Sequence, residues 1–249
     1  MPAARESLLD AAYTALTRRA WAAVRMVDVA AAAGVSRQTL YNEFGSKEGL
    51  ARALVRRETE SYLAGVARAL SRGAAAAGTR GDAAGRMVAA AAWTLRTARA
   101  NPLVRAALTG CWGDRLPAPA PSPAGPAGAA PAGAAVARPG LPGRRPAARA
   151  EAPLPGPAEL VGRFRDQAVA ALEPDWPAEE LPALGAACET AARLTLACVV
   201  APPASVAART PGRLPAQRTR GELETEAVAR LVRGAFARVP TGAPRGERG

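Results

Sequence analysis

The stretch Met26 to Lys47, MVDVAAAAGVSRQTLYNEFGSK, decides the fold. Its spacing predicts a short helix over Val27–Ala33, a turn at Gly34-Val35-Ser36, and a second helix over Arg37–Phe44. A third helix is expected to start at Ser46. Glycine suits the left-handed position that closes a helix. A serine just before the next helix caps it, its hydroxyl accepting a first-turn N–H. Val29, Ala30, Val35, Leu40 and Phe44 supply an apolar inside, leaving Arg37, Gln38, Thr39, Tyr41 and Asn42 facing outward. This is the layout of a helix-turn-helix, whose second helix enters the major groove with its N-terminal side chains at the base edges.

Residues from about 5 to 58 resemble the DNA-binding domain of the TetR/AcrR family of bacterial transcriptional regulators. The resemblance rests on Asp28-Val29-Ala30, Ala33-Gly34-Val35-Ser36, Thr39-Leu40-Tyr41, Phe44 and Ser46-Lys47-Glu48. Beyond about residue 60 it is one of helical layout. It implies that Tyr41 and Lys47 contact the DNA backbone. At the motif's start the family commonly has a capping Thr, whereas this chain has Val24-Arg25. Arg25 cannot cap a helix but can reach a phosphate. The DNA-binding set is therefore Arg25, Ser36, Arg37, Gln38, Thr39, Tyr41, Asn42 and Lys47. Within it, Arg37 can pair bidentately with guanine and Gln38 with adenine, and Thr39 can touch a thymine methyl.

Composition adds only background. The net charge is +12, with 33 basic residues of which Lys47 is the one lysine; there is no His and no Ile. Such a balance favours nucleic acid or acidic surfaces. Residues 1–58 carry nine basic and six acidic side chains, a balance of +3, so most of the excess lies elsewhere. Arginine in place of lysine, with 24 Gly and 23 Pro, also fits coding from a GC-rich genome. The lack of His removes the commonest metal ligand and general base. No acid pair or phosphate loop is evident either, so an enzyme is not expected, nor a metal or cofactor. Apolar runs are short and Ala-rich, and the N-terminus is charged and amphipathic. A cytoplasmic protein with no membrane span or signal sequence is expected.

The rest of the chain reads as all-α, about nine helices in total. A first helix covers 5–19, with Trp21 packing beneath the motif. A long helix runs from Ser46 to about Gly73, others span 82–100 and Leu103–Thr109, and Asn101-Pro102 separates the latter two. Residues 114–157 hold 12 prolines and six glycines and read as a disordered linker. Helices resume at about 158–173, from Pro177 to about Val200, and over Glu222–Val239. The expected domains are 1–58 for DNA binding and 59–239 for effector binding and dimerisation, interrupted by the linker, with a frayed tail at 240–249.

The resemblance implies a homodimer on a palindromic operator, released by a small-molecule effector and acting as a repressor. Met87, Trp93, Leu95, Leu108, Trp112, Phe164 and Trp176 are candidates to line a pocket for a hydrophobic or amphipathic effector, although residues of these types are more often simply core. Leu184, Cys188, Ala191, Leu194, Leu223, Ala227 and Leu231 are candidates for a four-helix dimer interface, and periodicity alone fits an intramolecular core as well. Two further functions stay open. A basic chain of this kind can coat nucleic acid without sequence preference. Cys188 and Cys198 can serve a redox response across a dimer, since about 15 Å of helical rise prevents their bonding within one chain; buried structural thiols are the alternative.

Overall fold

A computed structural model describes residues 2–76, 82–118, 153–202 and 220–237. Among these there are nine α-helices and no strand. They are α1 (Pro2–Arg18), α2 (Met26–Ala32), α3 (Arg37–Phe44), α4 (Lys47–Ala76), α5 (Ala83–Ala100), α6 (Pro102–Thr109), α7 (Pro157–Leu172), α8 (Leu181–Val200) and α9 (Arg220–Phe236). The all-α expectation holds. The described chain divides into two compact units between Ala53 and Leu54, inside α4, whereas the sequence suggested a boundary at 58. Most of the expected linker falls on 119–152, and the expected tail on 240–249; both lie outside the described residues. Gly156 and Pro157, at the linker's expected end, are the N-cap and first residue of α7.

The first unit is built on α1 to α3 and the start of α4. Leu8, Leu9, Ala12 and Leu16 form the buried stripe of α1, which packs against α2, and Val29, Ala30, Leu40 and Leu50 are buried in the same unit. Fully burying each such leucine contributes about 1.5–3 kcal/mol. Trp21, in a single 3-10 turn over Trp21–Ala23, is buried as expected.

In the second unit, α5 packs against α6, α8 and α9, and α8 packs against α6, α7 and α9. The core gathers Tyr62, Val66 and Leu70 of α4 with Met87, Ala91 and Leu95 of α5, Phe164 and Ala168 of α7, Leu184 and Cys188 of α8, and Val228 and Val232 of α9. Threonines enter this interior because their hydroxyls bond the carbonyl one turn back: Thr59 to Val55, Thr94 to Ala90 and Thr195 to Ala191. At Gly65 the Trp93 indole lies directly on the α4 backbone. A Cβ there would stand 2.2 Å from two ring carbons, so no side chain fits.

Several helix ends follow sequence rules. Asn101 caps α6 through Leu103 N–H at 3.0 Å and Val104 N–H at 3.2 Å, and Gly110 closes it at φ 74°. Asp82 caps α5 through the Gly85 N–H. One helix start differs from expectation. Residues Ala178–Glu180 form a separate 3-10 turn, and α8 begins at Leu181 rather than after Pro177. Pro182 is the reason: within a continuous helix its ring would clash with the carbonyl of Ala178, so it is tolerated only in a first turn.

Ala178–Val200 is long and apolar enough to cross a membrane by length and composition alone, with a mean hydropathy of 1.4. In the fold its apolar side chains Leu184, Ala187, Cys188, Ala191 and Ala192 are buried in the core.

Candidate nucleic-acid interface

The geometry of the motif follows its sequence closely. The chain leaves α2 through Gly34 at φ 68°, the left-handed conformation in which an L side chain is strained. Ser36 is extended and its Oγ accepts the Thr39 N–H at 3.0 Å, so the expected cap of α3 forms. Leu40 is completely buried beneath α3, while Arg37, Gln38, Thr39 and Asn42 are exposed and Tyr41 is half-buried. Val35 and Phe44, expected inside, are half-buried; the Arg5 guanidinium lies 5.0 Å from the Phe44 ring centre and donates to Glu43.

The outward side chains are paired along the helix. The Arg37 guanidinium sits 5.3 Å from the centre of the Tyr41 ring. Gln38 Nε2 donates to Asn42 Oδ1 at 2.7 Å. Both pairs are four residues apart, where side chains on a helix meet. The Thr39 hydroxyl shares a 2.8 Å hydrogen bond with that of Ser36.

At the start of α2, Arg25 occupies the N-cap position and makes no side-chain cap. It donates instead through Nε and Nη2 to the two oxygens of Asp28, at 3.1 and 2.9 Å, and Arg19 adds a third contact at 3.2 Å. The Arg25 hydrogen bond holds the Asp28 carboxyl below its usual range, and Asp28 raises Arg25 in turn. A carboxylate in the first turn complements the helix dipole. Asp28 thus serves the α2 terminus in place of the missing cap.

Ser46 precedes α4 and accepts the Gly49 N–H at 3.1 Å, so it caps the helix rather than beginning it. Lys47 is the first helical residue, its ammonium donating to the Ala22 carbonyl at 3.0 Å and standing 5.6 Å from the Trp21 ring centre. Glu48 is held below the usual carboxylate range by its own backbone N–H and then the Ser46 hydroxyl. This helix terminus therefore already carries an anion. Val27, in the first turn of α2, is 48% exposed and lies off the buried stripe of Met26, Val29 and Ala30.

The other candidate sets lie in the second unit. Met87, Leu95, Leu108 and Phe164 are buried in its core, with Trp93, Trp112 and Trp176 packed against them. The Trp93 indole N–H donates to the Tyr62 carbonyl at 3.2 Å. A surface cleft of about 180 Å³ lies elsewhere, lined by Pro102, Arg105, Ala106, Thr109, Cys111, Leu116 and Val200. None of the seven pocket candidates lines it.

Of the interface candidates, Leu184, Cys188 and Ala191 are completely buried within the protomer. Their contacts are intramolecular, because the buried face of α8 is the one turned to α5, α7 and α9. Leu194, Leu223 and Ala227 are half-buried and Leu231 is 42% exposed. The buried stripe of α9 is instead Glu224, Val228, Val232 and Phe236. Burial pushes the Cys188 thiol up to about 12, and burial followed by Glu224 pushes Cys198 up. Both shifts disfavour the thiolate that redox chemistry needs.

The capped, exposed α3 held against α2 across a glycine turn forms a helix-turn-helix, the arrangement that DNA-binding proteins place in the major groove. More narrowly, residues 8–54 match the family described as bacterial regulatory proteins, tetR family, and this N-terminal domain belongs to it. An HTH-type transcriptional regulator AlkX of Mycobacterium tuberculosis is 60% identical over 47 residues, 19% of this chain and 22% of that protein. An uncharacterized HTH-type transcriptional regulator of the same species is 48% identical over 56 residues, 22% of this chain and 28% of that protein. The match thus spans less than a third of these curated relatives. Among solved structures, the TetR family repressor AlkX from Dietzia sp., implicated in biodegradation of n-alkanes, aligns at TM-score 0.46 and 22% identity. That alignment covers 93% of this chain and 97% of the other. A tetR-family transcriptional regulator from Streptomyces coelicolor aligns at TM-score 0.44 and 17% identity, covering 99% and 94%.

Proposed function

We propose that the chain is a dimeric transcriptional repressor that binds a palindromic operator in the cytoplasm and leaves it when a small hydrophobic or amphipathic effector binds. The observation that carries this reading is α3: a capped helix with a buried Leu40 on one side and Arg37, Gln38, Thr39 and Asn42 exposed on the other. Arg37 and Gln38 are the base readers, with chemistry suited to guanine and adenine. Tyr41 and Lys47 position the helix on the phosphate backbone, where contacts fix register without reading sequence. Arg25 is committed to Asp28 and contributes positive charge near the backbone rather than a dedicated contact.

A single head makes few base contacts, so operator affinity requires two heads on paired half-sites. The half-exposed edge of Leu223, Ala227 and Leu231 on α9, with Leu194 on α8, supports a dimer surface on these two helices. The core around Met87, Leu95, Leu108 and Phe164 is the apolar region from which an effector site would open. An effector releases DNA only if it prefers the non-binding arrangement, and the coupling is reciprocal.

Footprinting on the DNA flanking the chain's own gene tests the reading. A sharp protected palindrome is expected. Arg37→Ala and Gln38→Ala should relax sequence preference, whereas Lys47→Ala should weaken specific and random duplexes alike. Equal binding to all duplexes, with a steep salt dependence, would replace the regulator by a nonspecific nucleic-acid-coating protein.

A further inference from the structure

We infer that Asn42 is a positioning residue that orients the Gln38 amide, so that one operator position distinguishes A·T from T·A. The inference rests on α3 reading bases as proposed above. Both side chains are exposed and lie one helical turn apart on the same face. Gln38 Nε2 donates to Asn42 Oδ1 at 2.7 Å.

A glutamine amide has one carbonyl oxygen and two N–H groups. The tether uses one N–H. The second N–H and Oε1 are the donor and acceptor that a bidentate contact with adenine N7 and N6 requires. Untethered, the terminal torsion of glutamine is broad and roughly two-fold, so the amide presents its nitrogen on either side. Tethered, the nitrogen lies toward the C-terminal end of α3 and the oxygen away from it. Adenine presents N7 and N6 in opposite orders along the groove in A·T and T·A, so a fixed amide accepts one order.

The neighbouring side chains are held in other ways. Arg37 lies over the Tyr41 ring, and Thr39 is joined to the Ser36 cap. Asn42 is also the acceptor that suits the place: an aspartate has the same reach but would bring a negative charge toward phosphates.

The experiment selects operators from a random duplex library, then measures competition binding for the wild-type chain, Gln38→Ala, Asn42→Ala and Asn42→Asp. The wild-type chain is expected to enrich a palindrome, and Gln38→Ala to identify the adenine position. Asn42→Ala should lower the A-over-T preference at that same position by about fivefold or more, a fraction of what a bidentate contact supplies. Asn42→Asp should keep that preference, because its carboxylate still accepts from Nε2, while binding every duplex more weakly. The inference is overturned if Asn42→Ala leaves the preference intact or relaxes a different position, which would make Asn42 a direct reader. Loss of the preference in Asn42→Asp as in Asn42→Ala overturns it too. A wild-type chain that enriches no motif overturns base reading by α3, and this inference with it. A motif that is enriched but indifferent to Gln38→Ala overturns the inference alone.

Discussion

Asn101 joins two elements through one amide, and replacing it separates two effects. Its Oδ1 caps α6, and its Nδ2 donates to Glu58 Oε2 of α4 at 2.7 Å. Glu58 Oε1 takes the Arg57 guanidinium, and its side chain is only 14% exposed. Asn101→Ala removes the cap, at about 1 kcal/mol, and a hydrogen bond to a charged acceptor, at about 1.5–3 kcal/mol. The sum of about 2.5–4 kcal/mol corresponds to a Tm lower by on the order of 10 °C for a chain of this size. Asn101→Asp preserves the cap but loses the donor and places a second carboxylate beside Glu58. At about 3.5 Å and an effective dielectric of about 20, that repulsion is about 4–5 kcal/mol before relaxation. Aspartate, ordinarily as good a cap as asparagine, should therefore destabilise at least as much as alanine here. Adding Glu58→Gln to Asn101→Asp reverses donor and acceptor and should recover most of the loss. Thermal unfolding followed by circular dichroism at neutral pH reads all four chains. An Asn101→Asp chain as stable as the wild type, or clearly more stable than Asn101→Ala, would refute the bridge between α4 and the start of α6.

Further outcomes follow from other contacts. Gly65→Ala forces the Trp93 indole off α4 and breaks its bond to the Tyr62 carbonyl. A loss of about 1–3 kcal/mol by overpacking and a shifted tryptophan emission are expected, and unchanged emission would contradict the packing. A thiol reagent at pH 8 should modify exposed Cys111 quickly, and Cys188 and Cys198 only after unfolding, since burial raises both. Three equally fast reactions would count against the buried placement. Leu231→Arg should leave the fold intact and yield monomers by light scattering, because its 42% exposed side chain lies on the proposed dimer edge. A persistent dimer would move the interface elsewhere.

Much of the helix-turn-helix was legible because its determinants are local. Gly34 sets a backbone angle, Ser36 caps the next turn, and Leu40 is buried at a spacing that helical geometry dictates. The α6 boundaries were legible for the same reason, through Asn101-Pro102 and Gly110. Where a local rule met a second one, the reading slipped: Pro177 suggested a helix start, but Pro182 displaced it to Leu181.

By itself the sequence determined that the chain is helical, where the helix-turn-helix lies, and which side chains of α3 face outward. Those properties depend on neighbours within a few residues. Tertiary structure alone decided what side chains distant in sequence meet. It brought the Lys47 ammonium to the Ala22 carbonyl, and placed Leu184, Cys188 and Ala191 inside the protomer while leaving Leu231 at the surface. The physical reason is that helical periodicity names a face but not its partner. On α9 the stripes of Leu223-Ala227-Leu231 and Val228-Val232-Phe236 are nearly equivalent in sequence, and only packing against α5 and α8 selects the second for burial.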